Sequence, residues 1–344
     1  MSDPKTRLRV LVTDHVFADL NTERSMVEPL GAELVLATAT DERSLASQAR
    51  GAAAILVCYA KVTEPVVLAA AEGGCRVIAR YGIGYDNVDV AAATRAGIVV
   101  TNVPDYCLDE VADHTMAMLL DMARGVFFAA TEVRAGSWAV PPAGVHRLEG
   151  RVLALIGTGR IGRRVAARAQ AFGLRVVGFD PYLKVWDLPG VDRVETLEEA
   201  LEIADFISLH APMTAANHHL IGTRTLALMK GAPILINTAR GGLVDLDAVT
   251  EALDDGRLGG VALDVTELEP LPPDHPLRRH ARALLTPHMA FYSEEAQKEL
   301  QRRAAEEVVR ALKGEEPRCP VNPEVLGRRA SGPGQASTGP TGPH

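Results

Sequence analysis

The sequence predicts an α/β protein built on two doubly wound parallel sheets. Two observations carry this. Short β-rich runs alternate with amphipathic helical stretches in two successive series along the 344 residues, and one long helical pattern separates the series. With 47% hydrophobic and 23% charged residues, a chain of this length can bury the cores of two domains.

The first series is "RLRVLVTD", "AELVLA", "AAAILVC", "CRVIAR" and "GIVVTN". Next, Val111, Thr115, Met118, Leu119 and Met122 recur at helical spacing, predicting a helix over Pro104–Arg124 that follows the break in "NVPDY". The second series is "RVLALIG", "LRVVGFD", "DFISLH", "PILINTA", "GGVALDV" and "ALLTPH", enough for a six- or seven-stranded sheet. No strand pattern follows His288. "SEEAQKELQRRAAEEVVRALKG" reads as a helix with Ser293 as N-cap, glutamates in its first turn, Lys313 in its last and Gly314 just beyond. "ASGPGQASTGPTGPH" is too poor in apolar residues to build a core, so residues 328–344 are expected to form a disordered tail.

A net charge of -8, with 36 basic residues dispersed among 44 acidic ones, gives no electrostatic pull toward nucleic acid or an anionic membrane. No apolar run approaches the roughly 18 residues of a membrane span. "MSDPKTRLRV" carries no signal-peptide pattern, so the cytoplasm is expected. Cys58, Cys75, Cys107 and Cys319 form no CxxC and suit buried thiols rather than disulfides or a zinc site. His218 and His219 are adjacent, where side chains on a strand or helix diverge, and they lack HxxxH or acidic-partner spacing. No metal is expected.

Gly157, Gly159 and Gly162 form GxGxxG directly after "RVLALI" and directly before a helical stretch. The first glycine permits a tight turn, the second a close approach of backbone to a pyrophosphate, and the third close helix–strand packing. Amide groups at the helix start face the phosphates. Asp180 closes the next strand, where a carboxylate accepts hydrogen bonds from ribose hydroxyls and repels a 2'-phosphate, favouring NAD over NADP.

Three further strands end in "INTARGGLVD", "ALDVTELEP" and "LTPHMAFYS". Loops at carboxyl ends of strands line the ligand crevice of an open α/β sheet, so Arg240, Glu269 and His288 are expected to converge. Their chemistries complement one another. Arginine holds the carboxylate or carbonyl oxygen of a 2-keto acid, histidine donates a proton as hydride arrives, and glutamate orients the histidine and favours its charged form.

"GTGRIG", "NTARGGLVD", "ALDVTELEP" and "TPH" resemble the signatures of the D-isomer-specific 2-hydroxyacid dehydrogenases, and "RYGIGYDNVDVAAATRAGIVVTNVP" is similar to that family's substrate-domain loop. "FDPYL", "NHHLI" and "FYSEEA" look most like the subgroup that includes the C-terminal-binding proteins, with Phe291 where animal members carry tryptophan. The resemblance implies a Rossmann NAD-binding domain, residues 103–289, inserted into a flavodoxin-like substrate-binding domain, residues 1–102 and 290–327. It implies Arg240 as the substrate-polarising residue, Glu269 as orienter and His288 as acid/base, with Arg80, Ile83 and Gly84 at the substrate carboxylate and Tyr59 or Lys61 nearby. For NAD it implies Arg160 and Ile161 at the pyrophosphate, Asp180 at the ribose, Thr238 in the nicotinamide half and Asp264 at the carboxamide. It also implies a homodimer through residues 126–150 and the NAD domain, with Phe127, Phe128 and Trp138 as contacts. The expected activity is hydride transfer between nicotinamide and a D-2-hydroxy acid or 2-keto acid. Two rival readings are an NADH-responsive, corepressor-like binding protein with little catalysis, and a dehydrogenase of a phosphorus oxyacid or phosphonate held by Arg80 and Arg240.

Overall fold

A computed structural model describes residues 8–140 and 144–330. The chain divides into two compact units, changing unit after Tyr106 and again after Ser293, so the second unit interrupts the first. Each crossing lies four residues beyond the boundary expected from sequence (106 against 102, 293 against 289). The first shift has a packing cause: Val103 is buried in the first unit's core, its N–H donates to Gly82 O at 3.0 Å, and Tyr106 packs against the same core.

The first unit holds β1 (Leu8–Val12), β2 (Ala32–Leu36), β3 (Ala52–Val57), β4 (Val77–Arg80) and β5 (Val99–Thr101), all parallel in the order β2-β1-β3-β4-β5. The central strand β3 is buried at every position, as expected where helices cover both faces of a parallel sheet. The pleat splits the apolar residues in two. Val10, Val12 and Leu56 pack with Leu300, Ala304 and Val308 of the Glu294–Lys313 helix, while Leu11, Ile55 and Val57 pack with Leu45 and Val66. Residues beyond the second crossing therefore complete a core begun at Val10. A buried polar contact fixes the same helix: Glu23 Oε1 accepts from Tyr81 Oη (2.8 Å), and Gln301 Nε2 donates to both Glu23 oxygens (3.2 Å each).

The second unit holds β6 (Val152–Ile156), β7 (Arg175–Phe179), β8 (Val191–Arg193), β9 (Phe206–Leu209), β10 (Ile234–Asn237), β11 (Gly260–Leu263) and β12 (Ala283–Leu285). All are parallel, in the order β12-β11-β10-β9-β6-β7-β8. Strand order reverses between β6 and β9, which sets the ligand crevice at the carboxyl ends of these strands. The edge strand β8 has no counterpart among the six apolar runs of the sequence, because it is only Val-Asp-Arg with two residues exposed.

The long helix runs over Leu108–Arg124 rather than from Pro104, whose following residues form turns, and ends at Gly125 in a left-handed conformation. The Val126–Arg134 helix that follows buries none of its residues. Phe127, Phe128 and Trp138 are all exposed, Trp138 at 91%; residues 141–143 of the expected dimer arm lie outside the described residues. A last helix, Glu324–Ala330, overlaps the first three residues of the expected tail, and 331–344 lie outside the described residues. Among the described residues no helix is long and apolar enough to cross a membrane. Cys58, Cys75 and Cys107 are buried, and burial pushes the Cys58 thiol up to about 12.

Candidate active site

The fingerprint turn follows β6 at the switch point. Gly157 has φ 96°, and a Cβ there would lie 2.8 Å from the His210 backbone; a Cβ on Gly162 would lie 2.4 Å from Gly157 O. Both positions therefore require glycine for packing within the protein. A Cβ on Gly159 meets no protein atom within 4 Å, so the open side of this turn faces outward, where a diphosphate fits. Gly159 is also the N-cap of the Arg160–Ala171 helix, which places exposed Arg160 and half-buried Ile161 in its first turn. Just past β7, Asp180 is held by Thr158 N and Oγ1 (3.0 and 3.3 Å to Oδ2) and by Tyr182 N (3.1 Å to Oδ1). Its carboxylate is thus pinned beside the turn, as a ribose acceptor requires. The donor set and the open glycine fit a dinucleotide.

Arg240, Glu269 and His288 follow β10, β11 and β12, three neighbouring strands of one sheet. His288 Nδ1 stands 2.7 Å from Glu269 Oε2, and Glu269 Oε1 accepts from Thr266 N at 3.1 Å. The Arg240–Gly241 backbone adjoins the same loop: a Cβ on Gly241 would fall 2.0 Å from Thr266 C. Arg240 Nη1 donates to Ala239 O (2.7 Å), and Asn237 Nδ2 donates to Arg240 O (2.8 Å). Phe291 meets the His288 ring edge-on, with centroids 6.2 Å apart.

His288 has φ 51°, a conformation that costs a non-glycine residue roughly 1–2 kcal/mol. Asp264 holds it there. Its main-chain oxygen accepts from His288 N (2.8 Å), Oδ1 accepts from Thr286 Oγ1 (2.6 Å) and Met289 N (2.9 Å), and Oδ2 accepts from Ala290 N (2.9 Å). Asp264 is 2% exposed, so it braces the histidine loop whatever else it contacts. His114 Nε2 lies 3.1 Å from Thr286 Oγ1 and 3.6 Å from Asp264 Oδ1, and Thr115 Oγ1 lies 2.8 Å from Thr238 Oγ1. His114, Thr158 and Thr286 are not singled out by sequence, and Thr115 enters there only through its helical spacing. The signal for His114 and Thr115 is that these polar residues lie on or beside the otherwise apolar buried face of the Leu108–Arg124 helix.

The first unit carries the remaining candidates. Arg80, at the end of β4, folds its guanidinium over Gly82 and donates to Tyr81 O. Ile83 O accepts from Asn102 Nδ2 at 2.7 Å, and Gly84 is half-buried. Tyr59 N donates to Asp14 Oδ2 at 2.6 Å, and Lys61 is exposed.

One expectation is corrected. The His218 and His219 side chains do not diverge: their rings stack at 3.9 Å, and they reach Glu267 through Nε2 at 2.8 and 3.0 Å. The rule for strands and helices fails because His219 sits in a turn at φ 51°.

The model of the D-isomer specific 2-hydroxyacid dehydrogenase NAD binding domain matches residues 116–290, which lie within the second unit. The chain is 39% identical over 311 residues to the D-3-phosphoglycerate dehydrogenase of Methanocaldococcus jannaschii. That match covers 90% of this chain but 58% of that protein, so this chain spans less than two thirds of that relative. It is 41% identical over 264 residues to the glyoxylate reductase of Korarchaeum cryptofilum, covering 75% and 79%. The solved D-lactate dehydrogenase of Aquifex aeolicus, complexed with NAD and lactic acid, is similar at a TM-score of 0.81 and 29% identity over 93% of this chain and 98% of that one. Sequence and fold agree, and the chain belongs to the D-isomer-specific 2-hydroxyacid dehydrogenase family as an NAD-dependent oxidoreductase.

Proposed function

We propose that the protein reduces a short 2-keto acid with NADH to the D-2-hydroxy acid, and runs the reverse oxidation with the same groups. The observation that carries this reading is the 2.7 Å contact between Glu269, after β11, and His288, on the loop after β12 braced by Asp264, with Arg240 following the next strand of the same sheet, β10. Bound NADH supplies the hydride. His288, with Nδ1–H directed to Glu269, gives a proton from Nε2 to the carbonyl oxygen as the hydride reaches C2, and takes it back in oxidation. Arg240 holds the negative charge that develops on that oxygen. Arg160 and Ile161 serve the pyrophosphate, Asp180 the ribose, Thr238 and Asp264 the nicotinamide half, and Arg80, Ile83 and Gly84 the substrate carboxylate. A glyoxylate-sized acid is the first substrate to try, since a relative 41% identical is a glyoxylate reductase. Initial rates of NADH oxidation across 2-keto acids of increasing length test the proposal. Arg240→Ala should lower kcat/KM about 10²–10³-fold on the best of them. NADH binding without oxidation by any keto acid would overturn the reading.

We further propose a cytoplasmic homodimer whose contact includes the 126–150 segment. Its support is the exposed Phe127 and Phe128 on the Val126–Arg134 helix, which buries none of its residues, with exposed Trp138 just beyond it. Light scattering should give twice the chain mass, and Phe127→Glu should halve it; a monomeric parent protein would refute the dimer.

A further inference from the structure

We propose that His218, His219 and Glu267 form a binding site for one divalent transition-metal ion of the Zn²⁺ class. Three segments build it. The turn after β9 carries both histidines, Gly242 O fixes it by accepting from His219 N at 2.8 Å, and the loop after β11 supplies Glu267. The left-handed backbone at His219 swings its ring alongside His218, so both Nε2 atoms face one carboxylate instead of pointing apart. That conformation is uncommon outside glycine, although histidine adopts it more readily than most residues, and half-exposed ion pairs return little energy for holding it.

Two imidazoles and a carboxylate are a donor set that zinc accepts. The three ligand atoms lie within 4.8 Å of one another, and a tetrahedral ion with bonds of about 2.0–2.1 Å spaces its ligands by roughly 3.3 Å. Closing on the ion requires the stacked rings to splay so that their lone pairs converge. Both side chains are more than one third exposed, which leaves room for it. A histidine bound through Nε2 carries its proton on Nδ1 and is steadied when that proton meets a carboxylate. His219 Nδ1 lies 3.8 Å from Asp245 Oδ2, a small ring rotation from such a contact.

Glu267 shares its loop with Glu269, whose Oε1 accepts from Thr266 N, and the Thr266–Glu267 backbone presses against Gly241. An ion here anchors that loop to the turn after β9. The inference does not depend on the substrate proposed above.

Calorimetric titration of the metal-stripped full chain with Zn²⁺ tests it. The expected result is one ion per chain, weakened at least about tenfold by Glu267→Gln and abolished in a double variant, His218→Gln with His219→Asn. Asn tolerates the left-handed backbone, and NADH binding checks that each variant is folded. Co²⁺ gives a second readout, since its visible bands should appear with the parent protein and fade in Glu267→Gln. The absence of saturable Zn²⁺ binding, or binding unchanged in either variant, overturns the proposal.

Discussion

At the scale of single residues, the Glu269–His288 contact makes a claim about charge. Reduction takes a proton from His288 Nε2 and oxidation returns one, so loss of the carboxylate that orients the ring should slow both directions. Glu269→Gln keeps a hydrogen-bonding group but removes the charge beside Nδ1. Its kcat/KM for keto-acid reduction should fall on the order of tenfold at neutral pH, with NADH binding unchanged. A kcat/KM equal to that of the parent protein would assign the orienting role elsewhere. Asp180 makes a second claim. Held by Thr158 and Tyr182, it should disfavour a 2'-phosphate, so NADH should be preferred over NADPH and Asp180→Ala should narrow that gap at least about tenfold. Equal kcat/KM values for the two cofactors in the parent protein would contradict this. Asp180 was readable because glycine spacing and strand position mark it. The Asp264–Thr286–His114 contacts were not, because they join chain segments 22 and 172 residues apart through residue types that carry no pattern of their own.

At the scale of elements, long apolar runs announced themselves and short polar ones did not. β3 is buried throughout and reads as a strand in any window, whereas β8 offers one buried valine and, at the sheet edge, pairs with β7 alone among the strands. The turn from β6 into its helix was legible because packing demands glycine there. Gly157→Ala would force a Cβ to 2.8 Å from the His210 backbone at a positive φ, and should both destabilise the second unit and weaken NADH binding, measurable by denaturation and fluorescence titration. His210 itself keeps part of its surface in solvent, yet burial of its ring holds its pKa at about 4, with Nε2 beside Ser208 Oγ at 2.9 Å. In the unfolded chain the ring gains a proton near 6.5, but in the folded chain only near 4. Acid therefore favours unfolding between these values, and stability falls as pH drops through them. Denaturation at pH 7 and pH 4 should show a smaller drop for His210→Gln than for the parent protein, by on the order of 2 kcal/mol once partial exposure is allowed for. An equal drop would mean that the ring is already charged when folded.

At the scale of the whole molecule, the chain leaves its first unit after Tyr106 and returns after Ser293 to finish the same core. The alternation of runs revealed two sheets, but not that residues 300–312 belong with residues 10–81. Buried Glu23, Tyr81 and Gln301 record that long-range pairing, which no local period announces. Residues 331–344 are Gly, Pro, Ser and Thr apart from one Gln, one Ala and one His, a composition with no large apolar side chains to build a core, so deleting them should leave activity and melting temperature unchanged; a large loss in either would give that segment a role. The central claim, hydride transfer from nicotinamide to C2 of a keto acid with His288 supplying the proton, has one direct measurement. NADH deuterated at C4 on the transferred face is incubated with glyoxylate or the best keto acid of the screen, and the product is analysed by mass spectrometry. The account predicts one deuterium at C2 of the hydroxy acid for each NADH oxidised, with His288→Ala slowing its appearance about 10²–10⁴-fold. A hydroxy acid without deuterium, or transfer at the parent rate in His288→Ala, would contradict it.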